Sequence, residues 1–230
     1  MKNKIQIIFL TFIVIFFSAC VKNTNVDYSA HIQSNPKSML LILSDNLGSE
    51  ANIENSILAR SITPLTEAGY YVMPLDVVDQ FLKANGYHSH SDIKDIPMDR
   101  LYEIFGADSV MYIKALNFGT NYNLVTSQTV VHLSAELYDL KTQELLWSKE
   151  LPFIEQTEVG RDPISLLVNL ITTAVTQVVN TQTNRAKEVL LPIATQSIFY
   201  RYDCNDCLLR GEYSPYFRQD AQIKDIVKNK

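Results

Sequence analysis

The sequence predicts an α/β (α+β) domain, a single unit in which helices pack on a mixed sheet of about five strands. Three observations predict it. SMLLIL at 38–43 is a short apolar run, typical of a strand buried on both faces. VVHLSAELYDL at 130–140 alternates apolar and polar residues, as in a strand with one buried face. Residues 161–185 repeat apolar side chains at helical spacing. Early helix alternation followed by a late meander indicates the mixed sheet.

The first half of the chain alternates strands and helices. The strand at 38–43 is followed by a helix with apolar spacing over 52–69 and by a short strand, YYVM, at 70–73. Two amphipathic helices are predicted at 76–86 and 97–107, each ending near a glycine. A strand of about ten residues, SVMYIKALNFG, begins at 109.

The second half is predicted to be a hairpin and a covering helix. Val131, Leu133, Ala135 and Leu137 point to one side of the first hairpin strand, and the turn lies at 139–144. Asp139 is expected to shape that turn through bonds from its side chain to the backbone. In the helix over 161–185, Asp162 is the N-cap and Pro163 the first helical residue. From residue 189 to residue 230 we expect an irregular, aromatic tail.

The N-terminus predicts a lipid-anchored, exported protein. A basic MKNK start precedes about thirteen uncharged, mostly apolar residues, too few for a spanning helix of roughly 20 residues. FSAC resembles the lipobox of bacterial lipoproteins, so we expect a signal peptide at 1–19 and lipidation of Cys20; a plain signal peptide containing a cysteine is the alternative. Val21, in place of Asp, implies the outer membrane. Residues 20–36 are predicted to form the lipidated end and a flexible tether, which could reach roughly 50 Å, with the folded domain at 37–188.

Two further cysteines, Cys204 and Cys207, form a C-x-x-C pair near the C-terminus. Three interpretations stay open: a small structural disulfide, as expected in an oxidising periplasm; free thiols; or a redox or metal function. Asp206 would disfavour a thiolate, and zinc would need two more ligands. We therefore predict no metal site and no cofactor.

Sequence motifs of catalysis are lacking. There is no nucleophile elbow, phosphate loop or zinc-protease motif, so no catalytic residue is assigned. His132 and Glu136, on the same face of one strand, could form an acid/base pair; the simpler interpretation is a surface strand. The net charge of −5 without a basic block argues against a nucleic-acid partner.

Four tyrosines in the tail suggest a docking surface. They are Tyr200, Tyr202, Tyr213 and Tyr216. Tyrosine is enriched at interfaces because it combines apolar area with a polar tip. The alternative is that the tail packs back on its own sheet.

Several stretches resemble a known family. They include NPKSMLLIL, PLTEAGYYVMP, FGADSVMYI and AELYDLKTQELLW. The chain resembles a family of proteobacterial outer-membrane lipoproteins of unknown function, of the neisserial vaccine-antigen type. It is distantly similar to the curli-secretion lipoprotein and to the N-terminal domain of the Tol propeller protein. The CNDC pair is not part of the family pattern.

The resemblance implies an outer-membrane lipoprotein whose domain faces the periplasm, with no enzymatic activity. It would work with partner lipoproteins, or with further copies of itself, in an envelope transport or assembly complex. The alternative function is a periplasmic redox or small-ligand-binding lipoprotein that uses Cys204 and Cys207.

Overall fold

The computed structural model describes residues 26–44, 53–88, 90–122, 126–158, 186–199, 204 and 206–223. The signal peptide, Cys20 and the helix predicted over 161–185 lie outside these residues. The elements, in chain order, are α1 (Ser29–Ser34), β1 (Ser38–Leu43), α2 (Ile53–Glu67), β2 (Tyr71–Val72), α3 (Leu75–Ala84), α4 (His90–Lys94), α5 (Met98–Phe105), β3 (Ser109–Tyr122), β4 (Thr126–Asp139), β5 (Leu145–Glu158), a π-helical turn (Ala186–Leu190), α6 (Leu191–Phe199) and a 3₁₀ turn (Ala221–Ile223).

The predicted mixed sheet of five strands is confirmed, in the order β2-β1-β3-β4-β5. β1 runs parallel to both β2 and β3, whereas β3, β4 and β5 are antiparallel. The division follows from the connections. Helices return the chain after β1 and β2, which permits parallel pairing, and short connections join the last three strands.

β1 is buried on both faces, as its continuous apolar run predicts. Met39, Leu41 and Leu43 belong to the apolar cluster under α2 and α6. Leu40 and Ile42 belong to a second cluster under α3 and α5. The sheet is therefore covered on both sides at β1.

The hairpin also follows its predicted pattern. Val131, Leu133, Ala135 and Leu137 are all fully buried against the α6 side of the sheet. In the turn, Asp139 Oδ1 accepts the backbone N–H groups of Lys141 and Thr142 at 2.7 and 2.8 Å. The predicted role of Asp139 is confirmed.

Two predictions were wrong in part: the flexible tether over residues 20–36 and the irregular tail over residues 189–230 each contain a helix. Residues 29–34 form α1, with Tyr28 and His31 buried. Residues 191–199 form α6, which lies in the main core. In α6 the apolar side chains of Leu191, Ala194 and Ile198 recur at helical spacing, and Pro192 suits the first turn.

Close backbone contact joins the C-terminal segment to the turn between α2 and β2. The Gly211 N–H donates to Ala68 O at 2.9 Å, and the Tyr213 N–H donates to Gly69 O at 3.2 Å. A Cβ atom on Gly211 would overlap the carbonyl oxygen of Gly69. Only glycine fits here, because the neighbouring atoms are backbone and cannot rotate away.

We therefore expect Gly211→Ala to lower the free energy of unfolding by about 3 kcal/mol, the upper range for overpacking. The matched control is Gly86→Ala. Gly86 has a φ of +90° but open space around it, so this change carries only backbone strain of about 1–2 kcal/mol. Urea unfolding of both variants measures the difference. Equal losses would contradict the clash at Gly211.

Candidate interaction surface and cysteine site

Cys204 and Cys207 are joined by a disulfide, with Cα atoms 5.4 Å apart. The two residues differ in exposure, because Cys207 is 3% exposed whereas Cys204 is only partly buried. The Cys207 carbonyl accepts the Tyr28 hydroxyl at 2.6 Å and the Gln222 amide at 3.4 Å. The pair is thus held between the N-terminal segment and the end of the chain.

Lys149 of β5 lies beside this disulfide. Its side chain is 7% exposed, and its Nζ lies 2.9 Å from Asp206 Oδ1 and 3.5 Å from Cys204 Sγ. The Asp206 carbonyl accepts the Trp147 indole N–H at 2.9 Å. Trp147 is buried and packs on Phe199 with ring centroids 6.5 Å apart, so it belongs to the core. The site therefore combines a disulfide, a buried ammonium and one carboxylate.

Sequence reasoning missed Lys149, although the strand pattern held the signal. In β5, Trp147, Lys149, Leu151 and Phe153 share one side of the strand, and the other three pack in or against the core. A lysine at a core-facing position is rarely buried without a partner. The expectation that Asp206 opposes a thiolate overlooked this cation, which pairs with that carboxylate.

Cys204, Asp206 and Cys207 bring three metal-ligating side chains within 4.8 Å of one another. In the disulfide, neither sulfur is a thiolate, which is the form that binds metal. The Lys149 ammonium beside them would also repel a cation. This arrangement suits disulfide chemistry better than metal binding.

Three buried residues, Tyr28, His31 and Tyr70, form what we call the N-terminal clasp; Tyr28 bonds to Cys207 O, and His31 lies within hydrogen-bond distance of Tyr70. The Tyr70 hydroxyl donates to Leu209 O at 2.6 Å, so it accepts from His31 Nε2, 3.0 Å away. Burial lowers the pKa of His31 from 6.5 to about 4. Burial also raises the pKa of Tyr28 to about 12 and that of Tyr70 well above its usual value. All three groups are therefore neutral at physiological pH.

The described residues only partly cover one face of β4 and β5, which we call the open face. Among the described residues, α3 and α5 cover this side of the sheet only as far as the edge-to-face pair of Tyr112 and Tyr138. Beyond it the sheet presents Lys114, His132, Ser134, Glu136, Ser148, Glu150, Pro152 and Ile154. This mixture of charged, polar and apolar side chains is typical of a surface that can bind another protein.

His132 does not pair with Glu136, as the acid/base hypothesis required. Its Nε2 lies 2.7 Å from Glu150 Oε1 on the neighbouring strand, and Glu136 instead accepts the Tyr138 hydroxyl at 3.2 Å. Glu150 is 61% exposed. The simpler interpretation of a surface strand fits this geometry.

β5 forms one edge of the sheet. It is 14 residues long and pairs with β4 along its length, apart from a bulge at Leu146, and no other strand of the described residues pairs with its outer side. Ile154, on the open face, is 53% exposed. A long edge strand is a template for pairing with another chain.

Of the four tail tyrosines, two lie within the described residues. Tyr213 and Tyr216 are exposed at 66% and 54%, and the Arg210 guanidinium lies 5.3 Å from the Tyr216 ring centroid. The backbone around them packs back on the body, with Leu208 and Leu209 buried. Tyr200 and Tyr202 lie outside the described residues, so a docking role for the four stays a prediction.

A cavity of about 440 Å³ opens at the carboxyl ends of β1 and β2. β1 leads to α2 on one face of the sheet and β2 leads to α3 on the other, so the cavity lies at a topological switch point. Its walls combine apolar side chains, such as Leu43, Leu58 and Val78, with polar and charged ones, such as Asn55 and Asp76. At its rim, Lys83 Nζ lies 2.8 Å from Asp79 Oδ2. Because these two charges are paired with each other, they do not indicate which ligand the cavity would bind.

None of the helices in the described part of the chain has both the length and the hydropathy needed to cross a membrane.

Comparison with known proteins places the chain among lipoproteins. A family model described as "Putative lipoprotein GNA1162-like" matches residues 26–213. The chain is similar to the "Putative lipoprotein NMB1124/NMB1162" of Neisseria meningitidis serogroup B, with 34% identity over 178 residues, which cover 76% of this chain and 82% of that protein.

The chain is also similar to solved structures. The crystal structure of lipoprotein GNA1162 from Neisseria meningitidis is 34% identical, with a TM-score of 0.50, and covers 63% of this chain and 99% of that one. The PelC dodecamer from Paraburkholderia phytofirmans is 12% identical, with a TM-score of 0.37, and covers 58% of this chain and 82% of that one.

Proposed function

Because the chain belongs to the GNA1162-like lipoprotein family, we propose that it is anchored by lipid on Cys20 to the outer membrane and acts there without enzymatic activity. In this proposal its body faces the periplasm and is an interaction component of an envelope transport or assembly complex. The family match over residues 26–213 supports the lipoprotein class, and Val21 after the lipobox supports the outer membrane.

One observation carries the interaction role: the 14-residue strand β5 at the edge of the sheet. Unpaired N–H and C=O groups along an edge strand can receive a strand from another chain, and the side chains beside them supply specificity. The open face adds an exposed apolar residue, Ile154, next to the polar pair of His132 and Glu150.

The partner that we propose for β5 is a second copy of the chain. The open face carries both signs of charge, with the Lys114 ammonium near the carboxylates of Glu136 and Glu150. A two-fold interface brings one patch against itself, so a patch of a single sign would repel its copy whereas a mixed patch can pair. A partner lipoprotein of similar fold is the other outcome that the experiment separates.

We expect the mature protein to self-associate and Ile154→Lys to weaken this association at least tenfold, which is about 1.4 kcal/mol. The matched control is Val77→Lys, since Val77 is an equally exposed aliphatic residue, at 61%, on α3. Sedimentation velocity in detergent, at several protein concentrations, compares the two variants with the wild type.

The proposal fails if the wild type is a strict monomer and a photo-crosslinker at position 154 recovers no specific partner from cells. A crosslink to a different lipoprotein, lost in the Ile154→Lys variant, would keep the interaction role and reject the second copy. Equal weakening by both lysine variants would reject β5 as the interface.

A further inference from the structure

The cysteine site contains a feature that a purely structural disulfide does not need. Lys149 keeps a charged ammonium almost fully buried, and burying a charge is costly unless it is well paired. A disulfide is neutral and gains little from a neighbouring cation. A thiolate gains much more, because an adjacent ammonium is what lowers the pKa of reactive cysteines.

The ammonium group of Lys149 lies next to one of the two sulfur atoms, that of Cys204. Lys149 Nζ is 3.5 Å from Cys204 Sγ, the more exposed member of the pair, while Cys207 is buried. In reactive pairs the accessible sulfur is attacked and the shielded one is the leaving group. The Lys149 ammonium also pairs with Asp206 Oδ1, 2.9 Å away, and the Asp206 side chain is half exposed. Solvent can therefore stabilise the Asp206 carboxylate when the ammonium pairs with a Cys204 thiolate instead.

We propose that Cys204–Cys207 is a reducible, exchanging disulfide, with Cys204 as the attacked sulfur and Lys149 as the residue that stabilises its thiolate. The substrate class is a dithiol on another envelope protein. This inference goes beyond the interaction role and does not depend on it.

The exchange balances without further reagents. A thiolate of the dithiol attacks Cys204 Sγ, the S–S bond to Cys207 breaks, and its electron pair leaves on Cys207 as a thiolate. The second thiol of the substrate gives its proton to Cys207 and attacks the mixed disulfide, which releases Cys204 as a thiolate next to Lys149. The substrate dithiol is oxidised to a disulfide, and the Cys204–Cys207 pair is reduced by two electrons.

The test is the redox equilibrium of the pair in glutathione buffers, measured by thiol trapping on the purified mature protein. We expect glutathione to reduce the wild-type pair and Lys149→Met to lower the equilibrium constant for reduction at least tenfold, about 30 mV for two electrons. Lys83→Met, which removes an exposed paired lysine on α3, is the matched control and should leave the constant unchanged.

A second measurement separates electrostatics from folding defects. In a Cys207→Ser background, Cys204 should be alkylated rapidly down to a lower pH when Lys149 is present than in the Lys149→Met variant. Lys149→Arg, which keeps the positive charge, should restore the rapid alkylation at low pH. Equal equilibrium constants for wild type and Lys149→Met would overturn the proposal. A wild-type pair that glutathione does not open at any ratio, or an unchanged alkylation profile, would also overturn it.

Discussion

A Cys20→Ser variant is expected to lose its membrane attachment completely and to appear in the soluble fraction. Serine has no thiol to receive the diacylglycerol, and each buried CH₂ of an acyl chain contributes about 0.8 kcal/mol to anchoring. Fractionation of cells, together with labelling by radioactive palmitate, measures both effects. The loss is all-or-none because the lipid, in our proposal, is the anchor.

Cys204→Ser is the matched control, since it also removes one thiol but leaves Cys20. It should remain in the membrane fraction and keep its palmitate label. Label that persists in Cys20→Ser would contradict lipidation at Cys20. An intact N-terminus at Met1 in the wild-type protein would contradict it as well.

The second large effect concerns His31 in the N-terminal clasp. The pKa of His31 falls to about 4 on folding, from 6.5, so the unfolded chain binds a proton that the folded chain excludes. The stabilising contribution is complete above pH 6.5 and is lost as the pH falls towards 4. A difference of about 2.5 pKa units corresponds to about 3 kcal/mol of unfolding free energy.

His31→Gln is the variant that isolates this effect. Its amide N–H can still donate to the Tyr70 hydroxyl, but it does not titrate. Urea unfolding at pH 7.5 and at pH 4.5 should show a smaller loss of stability for the variant than for the wild type. Comparing the variant with the wild type cancels the pH dependence that other groups contribute in both proteins. Asp220 is one of them: burial raises its pKa, so it favours the folded state as the pH falls, whereas His31 disfavours it. Equal losses in both proteins would refute the prediction.

The clasp also changes how far the body lies from its anchor. The described residues begin at Val26, and the five residues between Val26 and Cys20 can span at most about 20 Å. A tether running to residue 36 would have reached roughly 50 Å. If Cys20 is lipidated, as we propose, this shorter link would keep the disulfide site, which Tyr28 contacts, close to the membrane surface.

Periodicity alone predicted the strands of the sheet and three of the six α-helices in the described residues, α2, α3 and α5. The run at 38–43 predicted a strand buried on both faces, and the alternation over 130–140 predicted the buried face of the hairpin, because side-chain direction follows from residue spacing. The first twenty residues likewise predicted a lipoprotein, the class of the family that the chain matches.

Only the tertiary structure decided which side chains meet. Tyr28 contacts Cys207 across 179 positions, Tyr70 reaches Leu209 across 139, and Lys149 reaches Cys204 across 55. Residue spacing within one element carries no information about such contacts, because they depend on how separate elements pack. The order of α1 and the pairing of Lys149 with Asp206 could therefore not be predicted from the sequence, since each depends on partners far away along the chain.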